Sequence, residues 1–105
     1  IAQGIGMALF EDVCYDGRGM MANNSFMQYK IPSRTDLPQI RVAFEESYEP
    51  NGPFGAKSIG EVVINTPAPA VAAAVRNATG VQVRDLPITA EKLVLGMAQN
   101  REKTV

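Results

Sequence analysis

The segment from Thr66 to Gly80 constrains the fold of this chain more than any other. Thr66 can cap a helix, Pro67 has the fixed φ that suits a first helical position, and Gly80 stands where a helix can stop on a left-handed residue. Between them the chain is mostly alanine and valine. A helix is therefore predicted over residues 67–79, with Val71, Ala74, Val75 and Ala78 on one face and Arg76 and Asn77 on another. So many alanines imply that a second helix or a sheet packs closely against it.

The flanking pattern is mixed. Ala2, Ile5 and Leu9 recur at helical spacing, which predicts a helix from Gln3 to about Asp12. Gly4 and Gly6 each weaken that helix by roughly 1 kcal/mol relative to alanine, so they are expected to let another backbone approach closely. The chain opens at Ile1 inside this apolar stretch, without Met or a cap, and an upstream part is expected. Val13–Tyr15 and Met20–Met21 read as short strands joined at Asp16-Gly17 in a hairpin. Phe26 to Ile31 reads as an extended or irregular stretch, with Phe26 and Tyr29 as core anchors and Pro32 as its end. Ile40, Val42 and Phe44 alternate with Arg41, Ala43 and Glu45, the period of a strand with one buried face.

Glu45, Glu46 and Glu49 then crowd near a Pro-Asn-Gly-Pro turn and read as a solvated acidic loop. Val62–Ile64 and Val81–Val83 supply two more short β-branched runs, and Leu86-Pro87 breaks the second. Thr89 is placed to cap a last helix containing Leu93 and Met97, with Glu91 near its positive end. The polar tail over residues 99–105 is expected to fray. The resulting order is α, β-hairpin, β, β, α, β, α, an α+β class in a single mixed domain over residues 1–105.

Composition removes several classes of function. Ten basic and eleven acidic residues leave a formal charge of −1, with no basic run to follow a phosphate backbone, so no nucleic-acid partner is expected. Cys14 is the only cysteine and histidine is absent, which excludes an internal disulfide, a self-contained zinc site, and Ser-His or Cys-His catalysis. Carboxylates, lysines and tyrosines remain for proton transfer. No stretch approaches the roughly 20 apolar residues that span a bilayer, and no signal-peptide pattern is present. A soluble, cytoplasmic protein without a membrane partner is the expectation. The Asn-x-Ser/Thr patterns at Asn23 and Asn77 carry no weight.

The run from Gly52 to Glu61 is hard to explain as packing alone. Its glycines let the main chain approach something closely, and it ends on a carboxylate beside the apolar Val62, Val63 and Ile64. A partly desolvated glutamate there would suit a general base, while a structural or capping glutamate is the alternative that the residues themselves leave open. The Gln3-Gly4-Ile5-Gly6 run lacks the Lys-Ser/Thr of a phosphate loop, so close helix packing is expected of it.

Gly55-Ala56-Lys57-Ser58-Ile59-Gly60-Glu61 resembles the Gly/Ala-Lys-x-Val/Ile-Gly-Glu motif of the molybdenum-binding subunits of the xanthine dehydrogenase and aldehyde oxidase family. The resemblance extends from Gln3-Gly4-Ile5-Gly6 and Ala8-Leu9-Phe10-Glu11, through Tyr29-Lys30-Ile31-Pro32, to Ala78-Thr79-Gly80 and Arg84-Asp85-Leu86-Pro87-Ile88-Thr89. In the family these blocks occur in this order near the C-terminus of a much longer subunit. The resemblance implies that Glu61 is the general base in hydroxylating an N-heterocycle, such as a purine, or an aldehyde, with water-derived oxygen. Lys57 also matches the motif, and an ion pair or a loop-anchoring role is expected of it rather than catalysis; Gln3 is a candidate donor to the molybdenum-pterin cofactor, with packing or backbone anchoring as the favoured alternative, and no metal ligand is expected from this chain.

Iron-sulfur clusters and, in many members, FAD would sit on partner subunits or domains. The isolated chain is expected to be inactive, to hold no cofactor, and to self-associate as a homo-oligomer through uncovered apolar faces. Val62-Val63 follows the glutamate where many relatives have Pro-Pro, a departure that bears on substrate class and local backbone shape. A non-catalytic structural or interaction subunit of a larger redox assembly is the alternative.

Overall fold

The computed structural model describes residues 1–102, so the last three positions of the expected frayed tail lie outside the described residues. Four α-helices and one 3-10 turn (Pro53–Gly55) make up the regular structure of the described residues, the helices being α1 (Ala2–Leu9), α2 (Val62–Asn65), α3 (Pro67–Thr79) and α4 (Ala90–Glu102). The helix predicted over residues 67–79 is present with those bounds, and Gly80 closes it at φ 73°, donating its N–H to the Arg76 carbonyl. Thr66 precedes it without a side-chain cap bond, because its backbone is already helical at the end of α2 and its carbonyl accepts the Ala70 N–H.

α1, α2 and α3 form one small layer in which α1 touches both of the others. Gly4 is what brings them close. A Cβ at that position would lie 2.6 Å and 2.9 Å from Pro67 ring carbons and 3.1 Å from the Ile64 carbonyl oxygen. The close packing expected of Gly4 is thus directed at α2 and the start of α3. α1 stops at Leu9, short of Asp12, because the Phe10 and Glu11 N–H groups both turn back to the Gly6 carbonyl. Gly6 faces Glu11 and Pro32.

At the expected hairpin, a single antiparallel bridge joins Tyr15 and Met21. Its tight turn takes its positive φ from Gly19 (76°), and the Asp16 carboxylate accepts the Arg18 and Met20 N–H groups. Asn23 ties the base of the turn, donating to the Asp12 carbonyl and accepting from the Cys14 N–H. Tyr29 is half-buried as an anchor, whereas Phe26 is exposed.

Residues 40–45 run without a strand partner among the described residues. Val62–Asn65 is a helical turn in place of a short strand, its β-branched side chains overridden by packing on α1 and α3. Ile88 is buried beside Ala8, its N–H donating to the Ala8 carbonyl at 2.7 Å, and Val81 is buried against Gly96 of α4. The expected Thr89 cap forms, with the Lys92 N–H donating to its hydroxyl at 3.3 Å, and α4 runs helical to Glu102, through most of the tail expected to fray.

Ala8, Val81 and Ile88 are the buried hydrophobic residues among those described. The radius of gyration is 18.3 Å, against about 13 Å for a compact domain of this length. The accessible surface is 8812 Å², where a self-contained folded chain of 11.3 kDa would expose about 5,700 Å². This segment therefore leaves uncovered much of the apolar surface that a domain of its size would bury.

Candidate functional site

The glycine-rich run before Glu61 folds into two unlike halves. The first is a closed loop over residues 49–56. Its main chain turns back on itself through Glu49 N–H to Gly55 carbonyl (3.1 Å), Gly52 N–H to Glu49 carbonyl (3.0 Å) and Ala56 N–H to Pro53 carbonyl (3.0 Å). Glu49, read from sequence as part of a solvated acidic cluster, uses its carboxylate to accept the Asn51 backbone N–H at 3.1 Å and its side-chain amide at 3.3 Å. Glu45 and Glu46 are exposed, as that reading has it.

Gly55 is buried at φ 80°, and a Cβ there would run into the Tyr48 ring. Phe54, also at positive φ (55°), is wholly exposed. Lys57 then ties the exit of the loop to its approach by donating to the Ser47 hydroxyl at 2.7 Å. Of the ion-pair and loop-anchoring roles expected of Lys57, the bond to a hydroxyl is the second. Ser47 and Tyr48 are the contributors that sequence reasoning missed. Nothing in their local pattern signals that they close over residues several positions later.

The second half, residues 57–61, leads out of this loop to the start of α2. Glu61 occupies the position before α2 with φ −75° and ψ −21°, and its carbonyl accepts the Ile64 N–H at 2.9 Å. Its carboxylate makes no side-chain cap bond and is exposed, and a Cβ on neighbouring Gly60 would meet nothing within 4 Å. Val62 and Val63 are themselves exposed. The apolar shielding expected for Glu61 is thus not supplied by the described residues.

Gln3 is exposed on α1, next to the glycine that packs on Ile64 and Pro67. The helix that bears Gln3 and the helical turn led by Glu61 are therefore packed together. Further along α1's exit, the Tyr29 hydroxyl donates to the Glu11 carboxylate at 2.7 Å and fixes the loop that carries Pro32 against Gly6. That bond to Glu11 raises the Tyr29 hydroxyl above the ordinary tyrosine range, with desolvation and the charges of Glu11 and Asp12 adding to it. No cluster of three or more His, Cys, Asp and Glu residues that could hold a metal occurs among the described residues. What the arrangement offers chemically is a free carboxylate and a free carboxamide on adjoining elements.

Residues 1–38 match the family model described as the molybdopterin cofactor-binding domain. The chain is 43% identical over 94 residues to the putative xanthine dehydrogenase molybdenum-binding subunit XdhA of Escherichia coli, covering 89% of this chain and 12% of that protein. It is 38% identical over 96 residues to the aldehyde oxidoreductase molybdenum-binding subunit PaoC of the same species, covering 90% of this chain and 13% of that one. Among solved structures, quinoline 2-oxidoreductase from Pseudomonas putida 86 matches with a TM-score of 0.82 and 35% identity, over 93% of this chain and 13% of that chain. The chain spans about an eighth of the length of the curated relatives it matches.

Proposed function

Because this chain belongs to the family of xanthine dehydrogenase and aldehyde oxidoreductase molybdenum-binding subunits, we propose that it is the part of a molybdenum hydroxylase that carries the general base, Glu61. One observation supports this above the others. The Glu61 carboxylate is left unbonded at the start of α2, and α2 packs on α1, which lies within the stretch matched to the cofactor-binding domain. A carboxylate serving as a cap or an ion-pair partner would be engaged.

The substrate class is an N-heterocycle or an aldehyde, in keeping with relatives described as xanthine dehydrogenase, aldehyde oxidoreductase and quinoline 2-oxidoreductase. When bound, the molybdenum-pterin cofactor supplies an activated water-derived oxygen and takes up the electron pair released by the substrate. Gln3 fits a role as a side-chain donor to the pterin, since its carboxamide is exposed. Gly4 and Gly6 do not fit as a cradle for it, because the space beside each is filled by Pro67, Ile64, Glu11 and Pro32. Glu61 accepts the proton at a carboxylate oxygen, and the closed loop over residues 49–56, clasped by Lys57 and Ser47, fixes the backbone that leads to it.

The surfaces that exclude water from Glu61 come from the remainder of the subunit. Iron-sulfur groups, and FAD where present, lie on partner subunits or domains and carry the electrons away. A segment without those surfaces is inactive alone.

The exposure of Glu61 favours one competing reading, a structural segment whose glutamate is idle. Anaerobic reduction of the complete assembly by xanthine and by an aromatic aldehyde separates the two, comparing wild type with Glu61→Gln at equal molybdenum content. A loss of at least about a hundredfold is expected for a missing general base, and the faster substrate identifies the class. Near-normal reduction by the Gln variant would leave this chain as scaffold.

A further inference from the structure

We infer that Gly4 is a positioning residue for the reaction: its missing side chain sets how closely the turn that presents Glu61 stands against α1, the helix of the stretch matched to the cofactor-binding domain. The inference rests on the reading of Glu61 as the general base. The contacts that carry it lie wholly within this chain.

The path from Gly4 to the base is short. α2 is a single turn of four residues, and Glu61 leads into it with helical φ and ψ, its carbonyl accepting the Ile64 N–H at 2.9 Å. Ile64 is also where α2 meets α1, since a Cβ on Gly4 would lie 3.1 Å from the Ile64 carbonyl oxygen. One hydrogen-bonded turn therefore separates the Gly4 contact from the Glu61 main chain.

The contact is also unyielding. Gly4 is buried, and the other atoms that a Cβ would meet are Pro67 ring carbons at 2.6 Å and 2.9 Å. A proline ring is tied to its own main chain and a carbonyl oxygen is main chain, so neither can turn aside as a flexible side chain would. Relief must come from movement of α1 or of α2 with the start of α3. Taking the nearest carbon from 2.6 Å to an ordinary separation of about 3.6 Å moves one element by about 1 Å, and a displacement of that size at a reacting group can cost roughly a hundredfold in rate.

Gly6 supplies the contrast. A Cβ there would meet the end of the Glu11 side chain and the Pro32 ring, none of them in α2 or α3. Alanine at either position raises helix propensity and crowds a proline. Only at Gly4 does the crowding reach the turn that Glu61 leads.

The test uses the complete assembly, with wild type and variants compared at equal molybdenum content. Gly4→Ala should slow anaerobic reduction by substrate about ten- to a hundredfold with substrate affinity little changed, and should speed exchange of the Ile64 amide at least about tenfold. Gly6→Ala should leave both near wild type, whatever it does to the melting temperature. In a Glu61→Gln background, where the base is already gone, Gly4→Ala should slow reduction no further. Equal slowing in both backgrounds would overturn the positioning role, because Gly4 would then act by a route other than Glu61. Reduction and Ile64 exchange no different from those of Gly6→Ala would overturn it too. Near-normal reduction by Glu61→Gln alone would instead overturn the base assignment, and the inference with it. Should Gly4→Ala not assemble, Pro67→Ala removes the nearest contacting carbon from the opposite side and is read in the same way. Slower reduction with Glu61 present and none with Gln supports the role, and equal slowing in both overturns it.

Discussion

Gly55→Ala probes the loop that leads to Glu61, and its cost can be divided between two causes. Gly55 sits at φ 80°, in the left-handed region, where an alanine Cβ costs about 1–2 kcal/mol. Alanine also stiffens the unfolded chain, which offsets about 0.4–1 kcal/mol, so the backbone share is about 1 kcal/mol. The remaining share is the collision with the Tyr48 ring. Tyr48 is 75% exposed, so its ring can swing into solvent, forfeiting the contact it makes and adding no more than about 1 kcal/mol. Local opening of residues 49–56 in the complete subunit, followed by amide exchange, should therefore rise about five- to thirtyfold in Gly55→Ala. In a Tyr48→Ala background the ring share vanishes and the same substitution should raise it only about fivefold, the backbone share remaining. A neutral or protective Gly55→Ala would refute the conformational reasoning. An equal effect in both backgrounds would refute the role given to the Tyr48 ring.

Two other perturbations test the packing around α1. Gly4→Ala should lower the melting temperature of the complete subunit, because overpacking against a proline ring and a main-chain carbonyl, about 1–3 kcal/mol, outweighs the roughly 1 kcal/mol of helix propensity gained. A rise in melting temperature would show that propensity wins and that α1 can shift away from Pro67. The Tyr29–Glu11 bond predicts a pH dependence of definite sign. The Tyr29 hydroxyl is raised above its ordinary value, so the stability it contributes is complete below the ordinary tyrosine pKa and is lost as pH rises through the raised one. Ultraviolet difference titration of wild type against Tyr29→Phe should show this tyrosinate forming late, and Glu11→Gln should bring it earlier; a titration unmoved by Glu11→Gln would remove the cause assigned here.

Local chemistry was enough to read α3. The ring of Pro67 and the freedom of Gly80 act within a turn of their own positions, so both ends of that helix can be located without knowing the fold. Thr89 is legible for the same reason, since its cap bond reaches only three residues along the chain. The loop before Glu61 is legible as a place where glycines are needed. Its closure is not, because Lys57 meets Ser47 across ten residues and Tyr48 meets Gly55 across seven.

Val62–Asn65 shows the opposite case. Its side chains favour a strand by about a kcal/mol at most, and contact with α1 and α3 is enough to wind it into a helical turn. The sequence by itself determined the family motif, the capped helices and the alternating run at residues 40–45, because these are written in spacings of a few residues. Only the tertiary structure decided that Gly4 serves α2 and α3, that Glu61 stands unshielded, and that the alternating run finds no partner within this segment, because contacts between distant positions leave no trace in local spacing.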